Sequence, residues 1–124
     1  MKYIKIYADE HGESHFMDHD IVFDTVEFAP PAPPMNVSEF HDAERYAFTV
    51  FPSGWYGDWH PTPTRQIFFF FRGALEVTVS DGEVRNIGPG DIVLVEDTTG
   101  KGHETRVVSD EDVHSAVVQL PEKN

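Results

Sequence analysis

Two histidines stand where imidazole chemistry can be done. His60 lies in Gly57-Asp58-Trp59-His60-Pro61-Thr62-Pro63-Thr64-Arg65-Gln66, which runs directly into the apolar stretch Ile67-Phe68-Phe69-Phe70-Phe71 and Gly73. His103 closes the later segment Gly100-Lys101-Gly102-His103, downstream of a Gly88-Pro89-Gly90-Asp91 turn. An imidazole titrates near neutrality, so such a pair suits general acid–base work, and each ring is also a metal ligand. If the chain stays extended from His60, then His60, Thr62, Thr64, Gln66, Phe68 and Phe70 share one face. That face is polar at one end and aromatic in depth, which suits a small organic ligand. Pro61 and Pro63 remove two ladder donors and place the segment at a rim. Trp55, Tyr56 and Trp59, just upstream, are expected to wall the mouth, with Trp55 and Tyr56 in a loop beside Gly54 and Gly57.

The other candidates are weaker. His11, His15 and His19 recur every four residues, but Gly12 and the surrounding acids disfavour a helix, so a solvated loop is expected. Thr98-Thr99-Gly100-Lys101-Gly102 lacks the spacing of a phosphate-binding loop. No Gly-x-Ser-x-Gly nucleophile elbow is present. The chain has no cysteine, which excludes disulfides, zinc–thiolate sites, iron–sulfur clusters and cysteine nucleophiles. Nine basic against 22 acidic residues give a net charge of −13. A field of that sign repels phosphate backbones and anionic lipid, so neither nucleic acid nor a membrane surface is expected as a partner. Parity sets Arg65 opposite His60 and Arg106 opposite His103, so these cations, with Arg72, are expected to pair with surface acids.

The 124 residues suit a single domain. A strand is expected over Tyr3 to Tyr7, then a polar stretch from Asp9 to Asp20, then short apolar runs up to Phe28. Ala29-Pro30-Pro31-Ala32-Pro33-Pro34 should be an extended strap over the surface, because each proline fixes its own φ and restrains its predecessor. Residues 1–45 thus read as a strand and strap packed on a barrel formed by residues 46–120. In that second part Ala47–Phe51, Arg65–Arg72, Leu75–Val79, Val84–Ile87, Ile92–Val95, Thr105–Val108 and Ser115–Leu120 read as strands separated by Gly, Pro and Asp turns. Many short strands at close spacing predict an all-β sandwich or barrel. The run Ile67–Phe71 is apolar at every position, so both of its faces are expected to be covered. One faces the barrel interior. The other needs the N-terminal segment or a second subunit, and a homodimer is expected. No run is long and apolar enough for a signal peptide or a membrane span, which predicts a cytoplasmic protein.

At this point the sequence resembles the cupin superfamily, whose fold is a double-stranded β-helix or jelly-roll barrel. The first family motif has a Gly, a His, a second His two residues on, a Glu four further and a closing Gly. Here Gly54 or Gly57 precedes His60, and Gly73 closes the motif. The second motif opens with Pro89-Gly90-Asp91 and ends at His103. The resemblance implies metal ligands at His60, Thr62, Gln66 and His103, and only the two end positions keep a histidine. The usual proline of the second motif is Glu96, and the expected Asn after the His is Val107. No acidic residue falls between Trp59 and Leu75. His60, Gln66 and His103 could therefore hold one divalent ion weakly, or none. The resemblance implies a small-molecule pocket with acid–base or weak metal-assisted chemistry of isomerase, lyase or dioxygenase type, with His60 and His103 as the catalytic pair. The alternative is a sensor or carrier that binds without catalysis.

Overall fold

The computed structural model describes residues 1–123. Among these residues every regular element is a strand. Alternation dictates most of them. In Leu75–Val79 the apolar Leu75, Val77 and Val79 are buried while Glu76 and Thr78 are less so, the signature of a strand with one wet face. Twelve strands result: β1 Lys2–Ala8, β2 Ser14–Asp20, β3 Phe23–Val26, β4 Met35–Ser38, β5 Arg45–Phe51 and β6 Tyr56–His60. They continue with β7 Gln66–Arg72, β8 Leu75–Val79, β9 Val84–Ile87, β10 Ile92–Val95, β11 His103–Val107 and β12 Val113–Gln119.

Two sheets face each other. The larger has six strands in the order β2-β1-β10-β7-β12-β5, and the smaller has four in the order β6-β11-β8-β9. Their inner faces meet through Ile6, Phe70, Leu75, Val77, Ile87, Val93 and Val95, all buried. Two serines help tie the sheets together at one end. Ser14 N donates to Ser80 Oγ at 2.7 Å, Ser80 N donates to Ser14 Oγ at 2.7 Å, and Ser14 Oγ donates to Gly102 O at 2.6 Å. This is the all-β double-sheet barrel that the strand rhythm predicts.

The N-terminal part differs from expectation in two places. The polar stretch expected as a loop is partly strand: β2 pairs with β1 along its whole length, from Lys2 opposite Asp20 to Ala8 opposite Ser14. Its sequence, Ser-His-Phe-Met-Asp-His-Asp, hides the strand because only Phe16 and Ser14 face the core. The proline segment is a turn rather than an extended strap. Ala32 N donates to Ala29 O at 2.9 Å and the Pro30–Pro31 peptide is cis. The turn joins β3 to β4, an antiparallel hairpin that packs extensively only on itself.

His15, also expected in a solvated loop, is a clasp. Its Nε2 lies 2.7 Å from Asp9 Oδ2 and its Nδ1 2.8 Å from Asp81 Oδ2, linking the β1–β2 turn to the β8–β9 turn. The hydrogen bonds to Asp9 and then Asp81 raise its pKa above the ordinary 6.5. A raised folded-state pKa stabilises the fold at pH below the unfolded value and ceases to do so as pH rises through the folded value. Imidazole resonances followed by NMR should show His15 titrating above 6.5, and thermal stability should fall through that same interval. A His15→Gln variant should lack this pH dependence.

Candidate functional site

Register brings the two histidines together. β11 lies between β6 and β8, and His103 sits directly opposite His60 across the β6–β11 pair. Directly opposed residues share a face, so both rings turn the same way, with centroids 5.3 Å apart. The approach depends on Gly102. Its φ is +75°, and a Cβ there would lie 2.1 Å from both the carbonyl carbon and the oxygen of His60. Only glycine lets the loop pass that close. Gly100 does the same against Gly12, with a would-be Cβ contact of 2.4 Å to its carbonyl oxygen. The Gly-Lys-Gly sequence is therefore a close-packing device, not a phosphate cradle.

The rings open on a cavity of about 110 Å³ between the two sheets. Its polar end is made by His60, Thr62, Gln66, His103 and Thr105, and its aromatic wall by Phe51, Trp55, Phe68 and Phe70. His60, Thr62, Gln66, Phe68 and Phe70 share the cavity, as alternation predicts, but Thr64 does not and Pro63 lines it instead, because residues 61–65 are a loop and not a continuous strand. Thr62 is buried: its N donates to Asp97 O at 3.0 Å and its hydroxyl to Thr64 O at 2.8 Å.

Tyr56 and Trp59 do not line the cavity. Tyr56 belongs to β6 rather than a loop, and its hydroxyl donates to Glu104 at 2.6 Å on the outside. That hydrogen bond, reinforced by partial burial, pushes its phenol up to about 12, so it keeps its proton. Trp59 is exposed on the other face of β6 from His60. Arg65, Arg72 and Arg106 pair with acids, as parity predicts. Arg65 Nε donates to Glu96 at 2.7 Å, Arg72 to Glu111 at 2.9 Å, and Arg106 lies 3.6 Å from Glu76. Burial raises the Glu96 carboxyl, but hydrogen bonds from Arg65 and Lys123 outweigh this and hold it below its usual range.

Asp97 is the residue that sequence reasoning missed. It is fully buried, and its Oδ2 lies 2.7 Å from His103 Nδ1. The carboxylate orients the ring and places the proton on Nδ1, leaving the Nε2 lone pair for the cavity. Asp97 Oδ1 has no hydrogen-bond partner among the described residues. The acid follows the apolar run Ile92–Val95 and precedes His103 by six residues. Among 22 acidic residues, nothing in the sequence marks one as buried. His60 Nδ1 lies 2.7 Å from Pro61 O, which likewise assigns its proton to Nδ1.

The strand order, the opposed histidines and the glycine-dependent loop match a known architecture. A family model described as "Cupin domain" matches residues 47–118. The chain belongs to the cupin family. No curated protein matches it. Among solved structures, a cupin 2 conserved barrel domain protein from Salinispora arenicola is 19% identical, with a TM-score of 0.52 over 82% of this chain and 76% of that one. The cupin domain of Schizosaccharomyces pombe Cnp3 is 12% identical, with a TM-score of 0.52 over 98% of this chain and 88% of that one. The lyase DddQ of Ruegeria pomeroyi, named as acting on DMSP, is 21% identical, with a TM-score of 0.51 over 82% of this chain and 48% of that one. At these identities the likeness is one of fold.

Cupins often hold a metal, and the donors of this barrel fit one poorly. Two imidazole Nε2 atoms are free, but Asp97 sits behind His103 on its Nδ1 side. The Gln66 amide is engaged by its neighbours: Nε2 donates to Thr62 Oγ1 at 3.2 Å and Oε1 accepts from Gln119 at 3.3 Å. No cluster of three histidine or carboxylate side chains suited to a metal exists among the described residues. The set His60, Gln66 and His103 therefore lacks the third strong donor a firm divalent site needs. No helix of the described residues is long and apolar enough to cross a membrane.

Proposed function

We propose that this cupin barrel binds a small uncharged organic molecule and moves a proton on it, with His103 as the base. The observation that carries this reading is the buried Asp97 at 2.7 Å from Nδ1 of His103, whose ring lines the cavity. A carboxylate behind an imidazole fixes its tautomer and supports the charge it gains on taking a proton. His60, 5.3 Å away between ring centroids, turns an unprotonated Nε2 to the cavity that accepts a hydrogen bond from a ligand hydroxyl. No Lys or Arg lines the cavity, so a carboxylate or phosphate group would be left unpaired there. Size narrows the ligand further. A cavity of about 150 Å³ holds benzene. One of about 110 Å³ takes about four to six non-hydrogen atoms by the same measure. The reaction class this favours is isomerisation or elimination initiated by proton abstraction beside a carbonyl.

The test starts with binding. A panel of small neutral aldehydes, ketones and lactones should include compounds that shift the His60 and His103 ring resonances. A panel that leaves both unperturbed overturns the reading. Non-catalytic binding is the second reading, favoured by a wall that is mostly apolar and by the absence of a charged second catalytic group in the lining. It predicts ligands recovered chemically unchanged, with no exchange of their carbon-bound protons.

A further inference from the structure

We infer that Gln66 holds the carbonyl oxygen of the ligand and that, together with His60, it selects a neutral α-hydroxycarbonyl compound. This role rests on His103 as the base, and it supplies what that reading lacks: a donor for the oxygen that gains charge. The protons of the other polar groups are already engaged. His103 Nδ1 lies 2.7 Å from Asp97 Oδ2 and His60 Nδ1 2.7 Å from Pro61 O. The Thr62 hydroxyl donates to Thr64 O at 2.8 Å. Each ring therefore presents an Nε2 lone pair to the cavity, and a lone pair cannot hold a carbonyl oxygen.

Register supplies the donor. Arg45 lies opposite Gln119 across the β5–β12 pair, and Gln119 lies opposite Gln66 across β12–β7. Directly opposed residues share a face, so three polar side chains form one rung, from the exposed Arg45 to the cavity-lining Gln66. Hydrogen bonds run along this rung in one direction. Arg45 Nε donates to Gln119 Oε1, Gln119 Nε2 to Gln66 Oε1 at 3.3 Å, and Gln66 Nε2 to Thr62 Oγ1 at 3.2 Å. The Thr62 hydroxyl then donates to Thr64 O. A guanidinium can only donate and a backbone carbonyl can only accept. The two ends therefore fix the sense of every bond between them, and with it which way the Gln66 amide is turned. One Nε2 hydrogen of Gln66 goes to Thr62. The other has no acceptor among the described residues, on a side chain that lines the cavity.

The Thr105 hydroxyl and the Trp55 indole are the other donors of the lining. No hydrogen bond fixes the Thr105 rotor among the described residues, and Trp55 lies at the rim, 36% exposed. Only Gln66 is held in place by a network. With a carbonyl on Gln66 Nε2 and a hydroxyl donating to His60 Nε2, the ligand class follows, and about four to six non-hydrogen atoms suffice for it. His103 Nε2 takes a proton from the carbon that bears the hydroxyl. The C–H electron pair forms the double bond of an enediol, the carbonyl π pair moves onto oxygen, and the Gln66 N–H stabilises the charge there. Return of a proton to the same carbon regenerates the ligand, so no co-reactant is consumed.

The probe is hydroxyacetone labelled with ¹³C at its carbonyl, compared with methyl ethyl ketone, which has as many non-hydrogen atoms and no hydroxyl. Hydroxyacetone should bind roughly tenfold more tightly. Its carbonyl resonance should move downfield on binding, and its hydroxymethyl protons should exchange in D₂O. Gln66→Met keeps the bulk of the side chain and should lose the downfield displacement and slow exchange by roughly 100-fold or more. Gln119→Glu changes no lining residue. The new carboxylate can only accept, so it turns the Gln66 amide over and presents Oε1 to the cavity, with the same loss and an unchanged far-UV spectrum. Equal affinity for the two ketones overturns the ligand class. A wild-type carbonyl resonance that does not move, or a variant of Gln66 or Gln119 that keeps both displacement and exchange rate, overturns Gln66 as the holder of the oxygen and leaves His103 as the base. Failure of the base reads differently: His103→Gln exchanges as fast as wild type, which overturns both.

Discussion

Gly102→Ala is expected to lower thermal stability by about 10 °C or more and to abolish ligand binding, while Gly82→Ala costs much less. Both glycines have positive φ, +75° and +99°. An alanine in that region costs about 1–2 kcal/mol. At Gly82 that is the whole effect, because a Cβ there meets nothing within 4 Å. At Gly102 the Cβ falls 2.1 Å from the His60 carbonyl and 2.4 Å from Pro61 N. These are backbone atoms, so relief requires the ends of β6 and β11 to separate. Overpacking of this kind adds about 1–3 kcal/mol, for a total of about 2–5 kcal/mol. Domains of this size are stable by only about 5–15 kcal/mol. The same separation would pull His60 away from His103. Paired thermal melts of the two variants check the contrast. Equal losses would show that the close approach is not what Gly102 provides.

The second large effect concerns Asp97. Asp97→Asn should leave the fold as stable as wild type, or slightly more stable, while reducing proton transfer by roughly 100- to 10,000-fold. The stability expectation follows from Asp97 Oδ1, buried without a partner among the described residues, whose burial costs about 1–3 kcal/mol. A neutral amide is cheaper to bury than a carboxylate. The functional expectation follows from the tautomer. An amide N–H facing His103 Nδ1 donates to it, moving the ring proton to Nε2 and removing the lone pair from the cavity. Chemical denaturation together with the ring ¹⁵N shifts of His103 reads both consequences. A variant that loses stability and keeps its tautomer would show Asp97 to be structural only.

Much of this architecture is legible in the sequence, for identifiable reasons. Leu75–Val79 and Ile92–Val95 announce themselves by alternation and by the turns beside them. Gly54 or Gly57, Gly73 and Pro89-Gly90-Asp91 bring with them the family's arrangement, and His103 opposite His60 follows. β2 stayed hidden because its outward side chains are polar and only Phe16 signals a core. The proline segment misled because six restrained residues read as extended, whereas a turn inside a hairpin satisfies the same restraints. Parity correctly sent Arg65 and Arg106 away from the site and sets Trp59 opposite His60, but could not tell that a register shift in the β6–β11 pair sets Gly57 opposite Thr105 and Tyr56 opposite Arg106, which moves Tyr56 off the cavity. Burial of Asp97 is a tertiary fact, made by the loop between β10 and β11 folding back under His103. No local pattern carries it.

The most direct measurement of the central claim is carbon-bound proton exchange in D₂O. Compounds from the neutral carbonyl panel that bind the cavity would be incubated with wild-type protein and with His103→Gln, and deuterium incorporation followed by NMR. Exchange by the wild type that falls by roughly 100-fold or more in His103→Gln is the predicted result. Bound compounds that gain no deuterium, or that gain it equally with both proteins, would contradict His103 as the base.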